Sequence, residues 1–272
     1  MEIKKYKKET EYSYTLGAFP TLELVDAMPD KVIEILVHSS FTDKELVEEK
    51  CRIVYEAGKT KKPIVVKQDN KLIDKLSDKE NVYVVGIFEK YICELSTDTR
   101  HIVLVNPSNM GNLGTIIRTA CGFGYYDLAV IEPAADIFNP KTVRASMGSL
   151  FRIRHEIFGS FDEYAAKYST SGKTIDVEKN NAPAEGTDTG TITNENGGRM
   201  FYPFMLDGSC SLKDAPRPNS DRFSLIFGNE ATGLPKEFSG YGCPVRIEQT
   251  EFVDSLNLTI AAGIGMYKFA ND

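Results

Sequence analysis

Hydrophobic and polar positions alternate in blocks along the first third of this chain. Leu22–Ala27 reads as helical, and Lys31–His38 reads as a strand rich in Val and Ile. Asp43–Lys50 reads as a polar helix whose acidic start suits the positive end of the helix dipole. Pro63–Lys67 is a short strand, Asn70–Leu76 a short helix and Asn81–Phe88 another strand. This alternation predicts a small α/β domain over residues 1–96. The polar stretch Ser96–Arg100 is the expected linker. Beyond it the pattern changes. His101–Val105 and Leu128–Ile131 are continuous apolar runs on either side of a turn-rich segment and a helix. Further strands are expected at Phe204–Leu206, Ser224–Phe227 and Val245–Ile247. Strands that are apolar along their whole length are buried on both faces. Residues 97–272 are therefore expected to form a second, larger α/β domain around a mostly parallel sheet.

Residues 169–199 break the pattern. They hold no aromatic residue and are crowded with Ser, Thr, Gly, Asn and acids, so a flexible surface excursion is expected there. Within it, Ser171–Thr174 resembles the end of a phosphate loop, but Lys167 stands where the first glycine is required.

Composition narrows the classes. The 272 residues are 42% hydrophobic and 26% charged, as in ordinary globular proteins. No apolar run is long enough to cross a bilayer. Met1–Lys8 is basic but lacks the apolar core of a secretory signal. Cys51, Cys93, Cys121, Cys210 and Cys243 are scattered without paired spacing, which argues against a disulfide framework and a zinc site. The expected setting is the cytoplasm, with no membrane partner and no metal.

The net charge of −7 means that nucleic acid would have to be met by local basic patches. Candidates are Lys4, Lys5, Lys7 and Lys8; Lys59, Lys61, Lys62 and Lys67; and Arg144, Arg152 and Arg154. Each cluster could equally be a solvated surface. Tyr6, Tyr12, Tyr14 and Phe19 lie near the first patch, as base-stacking residues or as core aromatics.

Three strand ends carry the chemistry. Asn109–Ala120 follows the strand ending at Val105, Phe227–Pro235 follows another, and Ser255–Ile264 opens the last helix. In open α/β sheets, ligands bind outside the carboxyl ends of strands. Glycines let the backbone approach a ligand, and backbone amides at a helix start hold anions. Arg118 offers a planar donor fork to phosphate or carboxylate. Simpler readings stand beside these. Asn112 and Asn257 could cap helices, Arg118 could be a surface ion-pair partner and Glu230 a first-turn acid.

These segments resemble the three motifs of the SpoU (TrmH-like) RNA ribose methyltransferases of the SPOUT superfamily. Asn112, Gly114 and Arg118 match the first motif, Gly228, Glu230 and Gly233 the second, and Ser255, Leu256 and Asn257 the third. Lys141–Ser149 is similar to the family's Ala-Ser-x-Gly segment. The aspartate and proline that usually precede the first motif are replaced by Asn109 and Met110, and Glu248 replaces a proline.

The resemblance implies a C-terminal SPOUT domain with a deep trefoil knot, a homodimer and an N-terminal RNA substrate-binding domain. It implies an S-adenosylmethionine (SAM) cofactor held by Leu206, Asp207, Gly208, Phe227, Gly228, Asn229, Ile247, Leu256 and Asn257. It implies catalytic positions at Arg118, Asn112, Glu230, Ser255 and Asn257, and RNA contacts from Arg118, Arg144 and Ser146. A guanidinium stays protonated, so Arg118 is expected to anchor phosphate and stabilise a developing alkoxide, with Glu230 orienting it. Ribosomal RNA is the favoured substrate, with transfer RNA the alternative. Two rivals are weighed. A nicotinamide-dependent oxidoreductase could use the glycines from Gly111 to Gly124 with Glu132, but their spacing fails the Gly-x-Gly-x-x-Gly rule. A non-enzymatic RNA-binding protein would not need the three motifs intact.

Overall fold

In the computed structural model, residues 2–169 and 198–271 are described. Ser171–Thr174 and residues 170–197 of the expected excursion lie outside them. The chain divides into two compact units that interleave along the sequence. Unit 1 comprises Met1–Ile92, Asn109–Gly122 and Ala135–Ile153; unit 2 comprises Cys93–Ser108, Phe123–Ala134 and Arg154–Asp272.

Unit 1 begins with β1 (Tyr12–Tyr14), α1 (Ala18–Ala27), β2 (Val32–Val37), α2 (Lys44–Glu56), β3 (Val66–Gln68), α3 (Asn70–Leu76) and β4 (Val84–Glu89). Its sheet runs β1-β4-β2-β3, with β4 antiparallel to both neighbours and β2 parallel to β3. The period-two alternation of the central strands feeds two cores. Leu36, Val85 and Ile87 pack with Tyr12, Tyr14, Ile73 and Leu76. Ile35, Val37 and Val84 pack with Val25 of α1 and with Val47, Cys51 and Val54 of α2.

Tyr12 and Tyr14 are therefore core residues and not stacking platforms. Tyr6 packs on the same cluster and its hydroxyl donates to Asp136 at 2.5 Å. Phe19 differs from these three, being 55% exposed. Several expected basic patches are neutralised locally: Lys5 pairs with Asp78, Lys67 with Glu34, and Arg152 with Glu23 and Asp26.

The chain continues through β5 (His101–Val105), α4 (Met110–Gly122), β6 (Asp127–Ile131), α5 (Pro140–Ala145), β7 (Arg154–Phe158) and α6 (Phe161–Tyr168). After the undescribed segment come β8 (Met200–Pro203), β9 (Cys210–Ser211), β10 (Phe223–Phe227), β11 (Val245–Arg246) and α7 (Leu258–Asn271). Of these, α4 and α5 belong to unit 1 and the rest to unit 2.

The main sheet of unit 2 runs β7-β6-β5-β10-β8, and every pairing in it is parallel. All residues of β5, β6 and β10 are buried, as continuous apolar strands require. Phe161, Tyr164 and Tyr168 of α6 pack against Val103, Ala129, Phe158, Phe201 and Ile226. In chain order β5 is the first strand, β8 the fourth and β10 the fifth, so the described strands lie 3-2-1-5-4. Dinucleotide-binding sheets keep the order 3-2-1-4-5, so the last two strands are exchanged and the nicotinamide reading loses its fold.

Two expectations shift. The strand expected at Phe204–Leu206 is instead Met200–Pro203, because the chain turns at Met205–Gly208 and leaves Leu206 63% exposed. The expected linker is tied down: Ser96 N–H and the Thr99 hydroxyl donate to Asp127, and Arg199 donates to the carbonyls of Thr97 and Thr99. No described helix is long and apolar enough to cross a membrane.

Candidate active site

In unit 2 the second motif forms a closed loop at the carboxyl end of β10. Asn229 and Gly233 exchange backbone hydrogen bonds at 3.2 and 2.9 Å. Gly233 has φ +67°, which suits glycine. A Cβ on Gly228 would collide with the backbone of Gly233 and Leu234, so the first glycine is a requirement of loop closure. Asn229 uses Oδ1 to accept from Ala231 and Thr232 N–H, and its Nδ2 donates to the Asn106 carbonyl at 2.8 Å. Glu230 accepts from Ser108 twice, from the backbone N–H at 3.0 Å and the hydroxyl at 2.8 Å. The segment leaving β5 is thus clasped to the loop leaving β10. Ser108 and Asn106 carried no motif signal; their position just past a strand end was the available clue.

The other expected cofactor residues of unit 2 fall into two groups. Leu206 and Asp207 are exposed, and Ile247 and Leu256 are half-buried. Gly208 is buried where a Cβ would meet the Val245 backbone at 2.6 Å. Phe227 is fully buried and stacks on Phe204 with centroids 4.5 Å apart, so it can offer a ligand its backbone but not its ring. Asn257 accepts from Thr259 N–H at 2.8 Å and from its hydroxyl at 2.6 Å, which makes it a cap of α7. Ser255 is exposed.

Unit 1 carries the first motif. Asn109, not Asn112, starts α4: its Oδ1 accepts from Gly111 N–H at 2.8 Å and from Asn112 N–H at 3.1 Å. Asn112 lies half-buried within the helix. Gly114 sits where α4 meets α5, and a Cβ there would approach Ala145 Cβ and the Thr142 carbonyl to 2.5 Å. One turn further, Arg118 is exposed and, among the described residues, enters no salt bridge. Arg144 is half-buried, and its Nη1 has no hydrogen-bond partner among the described residues. Ser146, expected on the RNA face, is fully buried and donates to the Val143 carbonyl at 2.8 Å, so it shapes the turn after α5. No described cluster of His, Cys, Asp or Glu is arranged to hold a metal.

Loops closed by glycine at the carboxyl ends of an all-parallel sheet define an α/β ligand-binding protein whose site is built from strand ends. Residues 99–267 match the SpoU rRNA Methylase family, and the chain belongs to that family. It is 30% identical over 170 residues to a 23S rRNA (uridine(2479)-2′-O)-methyltransferase of Streptomyces viridochromogenes, a match covering 61% of this chain and 50% of that protein. It is 27% identical over 186 residues to a 23S rRNA (guanosine(2553)-2′-O)-methyltransferase of Bacillus subtilis, covering 64% of this chain and 59% of that one. The chain thus spans between half and three-fifths of the length of these relatives. The crystal structure of an AdoMet-bound rRNA methyltransferase from Sinorhizobium meliloti superposes with a TM-score of 0.70 at 25% identity, covering 96% of this chain and 87% of that one.

Proposed function

We propose that this protein transfers a methyl group from SAM to a ribose 2′-hydroxyl of ribosomal RNA. The observation that carries the reading is that all three motifs fall, in order, inside the family match, and that the relatives bearing this similarity are described as 23S rRNA 2′-O-methyltransferases.

The chain's residues suit the cofactor. Leu206, Ile247 and Leu256 are aliphatic side chains left incompletely buried on three loop segments of unit 2, fit to receive an adenine face. A Cβ at Gly208 would meet the Val245 backbone and one at Gly228 the Gly233–Leu234 backbone, so glycine at both positions keeps these loop backbones closely packed. When bound, SAM supplies an electrophilic methyl carbon on a sulfonium. The ribose hydroxyl is a weak nucleophile, so the protein's work is to orient it and stabilise the charge it develops. Arg118, permanently protonated, would hold the flanking phosphate and stabilise the negative charge growing on the 2′-oxygen. Arg144 would add a second phosphate contact. Glu230, expected from the sequence to orient Arg118, would instead fix a cofactor loop through Ser108, as Asn257 would fix another, with Asn112 and Ser255 positioning the ribose.

The finer architecture belongs to the same reading. Residues 1–96 would select the RNA and residues 97–272 would carry catalysis, as a cytoplasmic homodimer. A trefoil knot is consistent with the exchanged strand order and with the Cys243–Val245 segment, which bonds back to Phe201 and Met205. The test is methyl transfer from radiolabelled SAM to ribosomal and transfer RNA prepared from cells lacking the gene. Label in ribosomal RNA at a 2′-O position is the expected result. Label in transfer RNA instead would replace the substrate, and calorimetry showing no SAM binding would end the assignment.

A further inference from the structure

Unit 1 holds an open cavity of about 460 Å³ lined by Phe19, Glu23, Arg118, Met147, Ser149 and Arg152. Its size lies within the range of small-molecule sites. The two arginines in it are not equivalent. Arg152 is committed, with Nε donating to Glu23 at 2.6 Å and Nη2 to Asp26 at 3.1 Å. Those contacts also neutralise Glu23. Arg118 has no such carboxylate among the described residues, so it is the cavity's uncommitted cation.

Opposing chemistry comes from the first turn of α1. Phe19 leaves more than half of its surface open to water, and Met147 adds a partly exposed thioether. The helix that carries the ring is held in place by its surroundings. Gly148 has φ +86°, and a Cβ there would collide with Glu23, so α1 lies tight against the Met147–Ser149 turn. The Glu23–Arg152 ion pair latches the same contact. At the start of α1 the Thr21 hydroxyl donates to the Gly17 carbonyl at 2.7 Å. An aromatic face on a braced helix beside a free guanidinium complements a nucleotide: a base for the ring and a phosphate for the cation.

We propose that this cavity is a nucleotide subsite in which Phe19 stacks on a base of the RNA while Arg118 holds an adjoining phosphate. Phe19 is then an RNA-binding residue outside all three motifs, contributing affinity for a stacked base whatever its identity. The identity of the polymer rests on the methyltransferase reading; the subsite itself does not.

Two measurements separate these. In saturation-transfer NMR with adenosine and uridine 5′-monophosphates, base protons should receive saturation from the wild-type protein and from Phe19→Tyr, and lose it with Phe19→Ala. In the methyl-transfer assay, Phe19→Ala should raise KM for RNA about tenfold, a loss typical of one stacked base, with Phe19→Tyr restoring it and SAM affinity unmoved. Equal saturation in wild type and Phe19→Ala, or a KM unchanged by the substitution, overturns the subsite. If no variant, wild type included, transfers methyl groups, the NMR result still decides whether nucleotides bind here.

Discussion

Ser108 presents both its backbone N–H and its hydroxyl to one carboxylate oxygen of Glu230. The two residues are 122 positions apart, and their contact joins the segment leaving β5 to the loop leaving β10. If this clasp shapes the cofactor loops, the two side chains act as one unit. Ser108→Ala and Glu230→Ala should each weaken SAM binding, and the double variant should be less than additive by about 1 kcal/mol. Calorimetric titration of the four proteins measures this; strictly additive losses would separate the two residues.

Arg118→Ala should lower methyl transfer about a hundredfold or more, the scale of losing one electrostatic contact to the developing charge. SAM affinity should stay within about twofold, since Arg118 is assigned to RNA and not to cofactor. Arg118→Lys should recover little, because a point charge cannot reproduce the planar fork. Single-turnover kinetics with saturating SAM give the answer, and wild-type turnover in Arg118→Ala removes the residue from the mechanism.

Gly114→Ala tests a packing role. Its new methyl would press on Ala145 Cβ and the Thr142 carbonyl, both at 2.5 Å from the ideal position. Separating α4 from α5 should cost about 1–3 kcal/mol. Chemical denaturation reads this directly, and an unchanged midpoint would mean that the two helices part without cost.

Stability should fall in acid through two buried histidines. The Ser96 carbonyl can only accept, so His101 Nε2 donates to it at 2.7 Å and Nδ1 accepts from the Tyr164 hydroxyl at 2.9 Å. Burial, helped by the nearby Arg199 charge, pushes His101 down to about 3. Burial likewise pushes His155 down to about 4. Both rings are neutral in the folded state, whereas in the unfolded chain they protonate near pH 6.5. Protons therefore favour the unfolded chain between those values, and stability present above pH 6.5 is lost as pH falls. The loss should be on the order of 2 kcal/mol for each ring by pH 5. Asp127 adds a second decline at lower pH: burial raises its pKa, but hydrogen bonds from Arg154, Thr99 and Ser96 bring it below the usual value. Urea titrations at pH 7.5 and 5 test the first step; replacing His101 with Gln should remove about half of it, leaving the His155 share.

The buried strands were legible because burial on both faces writes itself as a run of consecutive apolar residues, as in Ile102–Val105 of β5, Leu128–Ile131 of β6 and Leu225–Phe227 of β10. β7 was not, because Arg-His-Glu-Ile-Phe reads as polar until Arg154 is seen paired with Asp127 and His155 is seen buried. Tyr12 and Tyr14 could be read by type as stacking residues or as core aromatics, and long-range pairing with β4 in the core of unit 1 decides for the second. Within the site, the glycines, Glu230 and Arg118 stood out by motif. The Asn109 cap and the Ser108 partner of Glu230 did not, since each depends on a local geometry or a distant contact that spacing does not encode. Phe19 was visible as a candidate, but its company in the cavity was not.

The place of β10 between β5 and β8 has a consequence for biogenesis. Growth of the sheet by adding each new strand to an outer edge would leave β8 beside β5. Here the segment that completes the middle is made after the one that ends at the margin. On a ribosome, β5, β6 and β7 can pair as they emerge, but β8 has no neighbour until Phe223–Phe227 leaves the exit tunnel. A nascent chain stalled before that point would carry a gap in its interior and not a missing border. Losing the last fifty residues should therefore yield a chaperone-dependent, protease-sensitive product and not a shortened but sound domain.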